Sequence, residues 1–359
     1  MSEQFIESPL DGILQEDLIS IAESDLPLTT LAGSTILVTG ATGLIGSIFI
    51  KSMLCCNRLK NTNIKIKALA RSEKKAKAVF GRLLNLDNLE MIYGDITEEI
   101  IVDGKVDYII HGASVTNSKM MVTEPVNTIK TTMDGTYSIL KLADEKKVKG
   151  MVYLSSMEAY GSPDPSLERV TEKDLGYIDC LNVRSCYSEG KRMAECLCAC
   201  YAHQYGVPVK IARLAQTFGA GVSYNETRVF AQFARSFIEG KNIVLHTKGE
   251  STGNYCYTAD CIRALIYILI SGESGEAYTV VNPETTITIG DMACMISDMS
   301  GGRIKTVFDI PEDALQYGYA PTVKMRLSAD KLMSLGWKPT YNLPQMYKRL
   351  INSMKISKE

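Results

Sequence analysis

The chain has 359 residues, 45% of them hydrophobic and 22% charged, with a net charge of −2. That size suits one large α/β domain plus a smaller lobe, and the charge gives no electrostatic footing for binding nucleic acid. No stretch has the length and apolarity of a membrane span, the start is acidic rather than signal-like, and ten cysteines without a secretory leader point to reduced thiols in a cytoplasm.

The first 33 residues hold seven acids (Glu3, Glu7, Asp11, Glu16, Asp17, Glu23 and Asp25) and no Lys or Arg. Apolar residues at Ile13, Leu18, Ile19 and Ile21 suggest a short helix. The composition reads as a solvated extension packed loosely on the body, in preference to a regulatory arm. From Ser34 the rhythm becomes strand, turn, helix. Thr35–Thr39 is an apolar, β-branched run that predicts a buried strand. Gly40 to Gly46 opens a helix running to about Arg58. Further strands are predicted over Ile64–Ala70, Leu89–Tyr93, Val106–Ile110 and Met151–Leu154. A long helix spans Pro125–Lys147, with Val126, Ile129, Met133, Tyr137 and Leu140 on one apolar stripe. This alternation predicts a doubly wound α/β fold of the Rossmann type, a parallel sheet with helices on both faces.

The turn after the first strand reads Gly40-Ala41-Thr42-Gly43-Leu44-Ile45-Gly46. A pyrophosphate needs exposed backbone N–H groups and a helix N-terminus aimed at it. Gly40 allows the tight turn, Gly43 lets the backbone approach the phosphates, and Gly46 lets the helix pack on the strand. Thr42, Leu44 and Ile45 complete this dinucleotide cradle. The second strand ends Ala70-Arg71-Ser72, without the acid that would bind the ribose hydroxyl of NAD. Arg71 suits a 2′-phosphate instead, so NADP is favoured over NAD. Asp95 and Ile96, after the third strand, are placed to cap the adenine end. His111 and Ala113, at the end of the fourth, lie near the cofactor.

Tyr187 and Lys191 sit four residues apart, on one face of a helix. The same spacing at Tyr137 and Lys141 falls within the long helix, where Tyr137 reads as core. Tyr187 opens its helix and follows Ser155-Ser156 at the end of the fifth strand, where such sheets bind ligands. A free tyrosine is only about 0.1% ionised at neutral pH, and a neighbouring lysine ammonium together with a cationic nicotinamide would lower its pKa. Tyr187 can then take a proton from a sugar hydroxyl as hydride leaves its carbon. Ser156 would hydrogen-bond that hydroxyl, and Lys191 would also hold the nicotinamide ribose. Cys196, Cys198 and Cys200 look like a metal cluster, but on a helix Cys198 points away from the other two, so no metal is expected.

These residues resemble a known family. TGATGLIG, His111-Gly112-Ala113-Ser114, SSMEAYG (155–161), YSEGK (187–191) and the late LGWKP (335–339) are similar to the extended short-chain dehydrogenase/reductases that modify nucleotide sugars. The resemblance runs from about Ser34 to the C-terminus. Beyond the acidic extension (1–33), it implies a Rossmann domain over 34–215 and a smaller α/β lobe over 216–359 that binds the nucleotide sugar and returns some segments to the core. It also implies a homodimer built on two helices per subunit. Within the family, Arg184-Ser185-Cys186-Tyr187-Ser188-Glu189-Gly190-Lys191-Arg192 and the 211–219 run IARLAQTFG look like UDP-glucuronate decarboxylases and 4,6-dehydratases. Glu158 matches a carboxylate that both share, and Thr116, Ser156, Gln216, Arg228 and Arg326 fall at substrate positions.

The departures are specific. Met157 stands where the dehydratases carry an acid, Ala220-Gly221 where decarboxylases have Pro-Arg, Gly253 where an arginine meets the phosphate, and Gln216 where an asparagine is usual. The expected activity is C4 oxidation by bound NAD(P), then decarboxylation or elimination and re-reduction. A nucleotide-sugar 4-epimerase, an NADPH-dependent keto-sugar reductase and a non-catalytic dinucleotide sensor remain as alternatives.

Overall fold

The computed structural model describes residues 6–310 and 324–358; Glu3 lies outside them. In chain order the strands are β1 (Thr35–Thr39), β2 (Lys65–Ala70), β3 (Leu89–Tyr93), β4 (Tyr108–His111), β5 (Gly150–Ser156), β6 (Val209–Leu214), β7 (Gln216–Phe218), β8 (Ile243–Leu245), β9 (Thr252–Tyr257), β10 (Ala277–Val280), β11 (Asn282–Thr288) and β12 (Thr306–Phe308). The helices are α1 (Gly12–Glu23), α2 (Leu44–Lys60), α3 (Glu73–Phe80), α4 (Ser118–Thr123), α5 (Pro125–Glu145), α6 (Cys186–Tyr205), α7 (Val229–Glu239), α8 (Thr258–Ser271), α9 (Ile289–Met299), α10 (Asp330–Met333) and α11 (Leu343–Lys358).

Seven strands form one parallel sheet in the order β3-β2-β1-β4-β5-β6-β10. The order reverses between β1 and β4, which opens a crevice at the carboxyl ends of those strands. β1 is buried along its whole length, as its apolar, β-branched sequence requires of a central parallel strand. A three-stranded sheet, β11-β9-β7, and the pair β12-β8 belong to the chain after residue 215, while β10 from that same region completes the main sheet. β1 and β3 have the expected ends. β4 starts two residues later than expected. α5 stops at Glu145 rather than Lys147, because Lys147 takes a left-handed φ of 50°.

Two expectations are corrected. The leading segment is not a loosely packed, solvated extension. Leu14, Leu18, Ile21 and Ala22 of α1 are buried in the main core, and the acids find basic partners elsewhere in the fold. Glu7 takes two bonds from Arg58, each of 2.8 Å. Asp17, 1% exposed, accepts from the Tyr257 hydroxyl at 2.6 Å and from Arg349 at 2.7 Å. Arg263 donates to Ser20 at 2.7 Å. An acidic segment is therefore held by arginines of α2, α8 and α11.

The second correction concerns α5. Val126, Ile129 and Tyr137 of the expected buried stripe face outward, at 75%, 44% and 53% exposure, and only Leu140 of the stripe is fully buried. Thr128, Thr132, Gly135 and Thr136 take the inner face instead. Each buried threonine returns its hydroxyl to a carbonyl one turn back, at Glu124, Thr128 and Thr132, so its polar group is satisfied without water. Their small size admits Ile96, which lies where a side chain at Gly135 would stand, 2.9 Å from the position of its Cβ.

Burial pushes the Asp17 carboxyl up to about 6, against the pull of Tyr257 and Arg349. A folded pKa above the ordinary value of 3.8 means that its stabilising contribution is complete below that pH and is lost as pH rises through about 6. Asp17→Asn should therefore gain stability relative to the natural chain, by about 2 kcal/mol between pH 4 and pH 7. Urea unfolding of both proteins at intermediate pH values measures this, and a pH-independent difference would contradict it.

Candidate active site

The crevice between β1 and β4 is built from backbone. Gly40 has φ +68°, and a Cβ there would lie 2.8 Å from the Gly112 carbonyl carbon and oxygen. A Cβ at Gly46 would lie 2.4 Å from the Gly40 oxygen. Gly43 caps α2 without a side chain and is exposed. The first-turn N–H groups of α2 have no partner within the helix, so a bare turn and a helix N-terminus face one spot, as a pyrophosphate requires. Thr42, Leu44 and Ile45 are half-buried around it, with Leu44 and Ile45 packed on the core.

Thr39, at the end of β1, locks the two strand ends together and was not singled out from sequence. Its Oγ1 accepts from the amides of Gly112 at 3.2 Å and Ala113 at 3.1 Å, and lies 2.7 Å from His111 Nδ1. His111 Nε2 lies 3.3 Å from Thr136 Oγ1, whose own proton goes to the Thr132 carbonyl. These partners make Nδ1 the acceptor and Nε2–H the donor. Burial, with the Lys191 charge adding to it, lowers the His111 pKa to about 3. His111 is therefore a neutral brace beneath the crevice.

On the adenine side, Arg71 and Asp95 end β2 and β3 with a long contact of 3.9 Å between exposed side chains. Asp95 is lowered mainly by the Thr97 amide, with the Thr97 hydroxyl and Arg71 assisting. Ile96 does not offer the expected apolar contact at the surface. It is 4% exposed and packs inward against α5.

Across the crevice, β5 ends in Ser156 and runs into a short 3-10 turn, Met157–Tyr160, while α6 begins at Cys186. Ser156 Oγ accepts from the Glu158 amide at 3.2 Å, and Ser156 stands near enough to the Tyr187 phenol to bear on its ionisation. Lys191 Nζ donates to the Leu154 carbonyl at 2.7 Å and lies 5.7 Å from the Tyr187 ring centroid. Burial pushes Tyr187 up to about 12, with Glu158 adding to the rise and Ser156, Arg184 and Arg228 opposing it. Burial also brings Lys191 down to about 8, with Glu195 opposing. In the protein alone, burial dominates both groups, so the phenol side favours its proton.

Glu158 stands beside this pair. It takes a bond from Arg184 at 3.1 Å and one from the Ser188 hydroxyl at 3.3 Å. Arg184, three residues before Tyr187, also lies 5.9 Å from its ring centroid. It lies in the 3-10 turn just before α6, and its place at the head of the Arg184–Arg192 run was the available signal for it. The other expected substrate residues come from separate elements. Thr116 is exposed between β4 and α4, and Gln216 begins β7. Arg228 caps α7, 2.8 Å from Glu226. Arg326 is exposed on a stretch tied to β9, where Asn254 Nδ2 holds the Met325 carbonyl at 2.9 Å. On α6, Cys198 is buried while Cys196 and Cys200 are exposed, as the helical spacing predicts.

A pyrophosphate cradle at the switch point and a Ser-Tyr-Lys set across it define an NAD-dependent enzyme of the extended short-chain dehydrogenase type. Residues 36–282 match the NAD dependent epimerase/dehydratase family, and the chain belongs to that family. It is 31% identical over 311 residues to UDP-glucuronic acid decarboxylase 6 of Arabidopsis thaliana, covering 86% of this chain and 85% of the relative. Among solved structures it resembles a UDP-glucose 4-epimerase from Thermotoga maritima with a TM-score of 0.73 at 21% identity, over 90% of this chain and all of the other. A dTDP-glucose 4,6-dehydratase from Bacillus anthracis, solved with NAD, gives 0.71 at 21% identity, over 90% and 96% of the two chains.

Proposed function

We propose that the chain oxidises C4 of a nucleotide-linked uronic acid, releases carbon dioxide from the 4-keto sugar and returns the hydride, as a UDP-glucuronate decarboxylase does. The observation that carries this reading is Glu158, bound to Arg184 and set beside the Ser156–Tyr187 pair. When bound, the nicotinamide stores the hydride, and its positive charge favours the Tyr187 phenolate. Tyr187 takes the proton of the C4 hydroxyl, and Ser156 holds the same oxygen. A ketone β to the carboxylate lets carbon dioxide leave with its bonding electrons spread onto the C4 oxygen, where Ser156 and Tyr187 donate hydrogen bonds. The enolate left behind takes up a proton at C5, and Glu158, 40% exposed beside Arg184, would relay that proton from water. Loss of water would also need an acid at the leaving hydroxyl, and Met157 has no proton to give, which favours decarboxylation over dehydration.

Three further readings complete the proposal. Arg71, 69% exposed at the end of β2, suits the 2′-phosphate of NADP. Val122, Val126, Ile129 and Tyr137 of α4 and α5, with Met193 of α6, form an exposed apolar face suited to a second copy of the chain. The ten unpaired cysteines suit the reducing cytoplasm; among the described residues no helix is long and apolar enough to cross a membrane.

Mass spectrometry of products from a panel of nucleotide sugars, with NAD and with NADP, tests the reaction. Loss of carbon dioxide from UDP-glucuronate is expected. Loss of water, an unchanged mass with shifted retention, or a gain of two hydrogens would replace this reading with a dehydratase, an epimerase or a reductase. Tyr187→Phe should abolish turnover, and Glu158→Gln should stop it while reduced cofactor still accumulates. Arg71→Ala should lose about tenfold in NADP affinity and little for NAD; tighter binding of NAD by the natural chain would contradict the NADP reading. Light scattering should give a dimer that Val126→Glu splits, and a monomer at micromolar concentration would remove the apolar-face argument.

A further inference from the structure

Behind Tyr187 and Lys191 lies a buried ion cluster that the chemistry above leaves unused. Glu195 follows Lys191 by one turn on the inner face of α6, and the two residues are 7% and 3% exposed. Glu195 accepts from Arg213 Nε at 3.1 Å and from Arg213 Nη2 at 2.7 Å. It also accepts from the hydroxyl of Ser155. Arg213 sits on β6 directly opposite Ser155 on β5, and its Nη1 donates to the Glu172 carbonyl at 2.8 Å. The carboxylate is thus clamped from two strands.

Lys191 has little else to offset its burial. Its ammonium makes one bond to the protein, to the Leu154 carbonyl. The Tyr153 ring of β5 lies 4.8 Å from its nitrogen and the Tyr187 ring 5.7 Å. The neutral His111 of β4, and Glu195 and Cys198 one and two turns along its own helix and buried with it, are the titratable groups that bear on it. Glu195 is the carboxylate among them. An ammonium stripped of water loses several kcal/mol of hydration, roughly, unless a nearby anion replaces it. A clamped Glu–Arg pair is weak evidence for stability in itself, since a buried ion pair often contributes less than apolar side chains of the same volume.

We propose that Glu195, clamped by Arg213 and Ser155, is a positioning residue whose carboxylate is the counter-charge that keeps Lys191 an ammonium beneath Tyr187. The inference rests on the Ser-Tyr-Lys reading of the site and adds to it the group that sets the charge of Lys191. Glu195 touches neither substrate nor cofactor. Its clamp also explains why the charge stays in place: Leu154 is held by Lys191 and Ser155 by Glu195, so α6 grips the end of β5 through two consecutive residues.

The test reads Lys191 directly and needs no sugar. The protein is labelled with ε-13C lysine, and the Lys191 resonance is assigned by its loss in Lys191→Met. Titration of the full chain then follows its charge. In Glu195→Gln the midpoint should fall by about one pH unit, a tenfold smaller ammonium fraction above it, and Glu195→Asp should restore most of the shift. A merely structural role would lower the unfolding temperature and leave the midpoint where it was. If Glu195→Gln strands Arg213 and fails to fold, Glu195→Gln with Arg213→Met removes both charges and should still lower the midpoint. An unchanged or raised midpoint in a folded variant overturns the proposal. Because the readout is independent of turnover, that result stands apart from any failure of the decarboxylase assignment.

Discussion

A lysine ammonium buried behind the carboxyl end of β5 is the constraint on which the site depends. Lys191 stands on the Leu154 carbonyl of β5 and beside the Tyr187 ring, so α6 has to lie close to β5, and it also packs against α5. Close packing of α5 and α6 leaves room only for small residues between them, and Gly190 of α6 lies against Thr132 of α5. The threonines of α5 fill that space and satisfy their hydroxyls on their own helix. The large apolar residues of α5 are left on the outside. The Tyr187–Lys191 pair, the composition of a helix interface and the character of an exposed face thus meet in the packing of α5 and α6.

The opposite wall of the crevice follows a different rule. There the work is done by backbone, and side chains serve to bring backbone close. Gly40 and Gly112 approach to a distance that any Cβ at residue 40 would prevent. Thr39 and His111 hold that approach with a chain of hydrogen bonds whose direction is set by its end in the Thr132 carbonyl. A histidine so placed is uncharged, which suits a wall that should add no positive charge of its own behind a redox cofactor.

The acidic leading segment shows how composition and environment can part company. A run of acids without a basic residue is ordinarily a solvated stretch. Here α1 carries an apolar face into the core, and that burial brings Glu7 against Arg58, Asp17 against Arg349 and the Ser20 hydroxyl against Arg263, all from distant parts of the chain. Asp17 pays for its place with a raised pKa despite an arginine and a tyrosine on its oxygens.

By itself the sequence determined the doubly wound sheet, the bare glycine turn between β1 and α2 and the helical pairing of Tyr187 with Lys191, because each is written in local spacing: a β-branched run, glycines at fixed offsets, a tyrosine and a lysine one helical turn apart. The orientation of Cys196, Cys198 and Cys200 was readable for the same reason. Tertiary structure alone decided the rest. It turned the apolar stripe of α5 outward, buried Ile96, docked α1, and put Arg184 on Glu158 and Glu195 on Arg213. Which face of a helix is inside depends on what packs against it, and which charges meet depends on residues up to hundreds of positions apart, such as Asp17 and Arg349. The ionisation of Tyr187 and Lys191 belongs to the same class, since it is their burial in the assembled fold that dominates both groups.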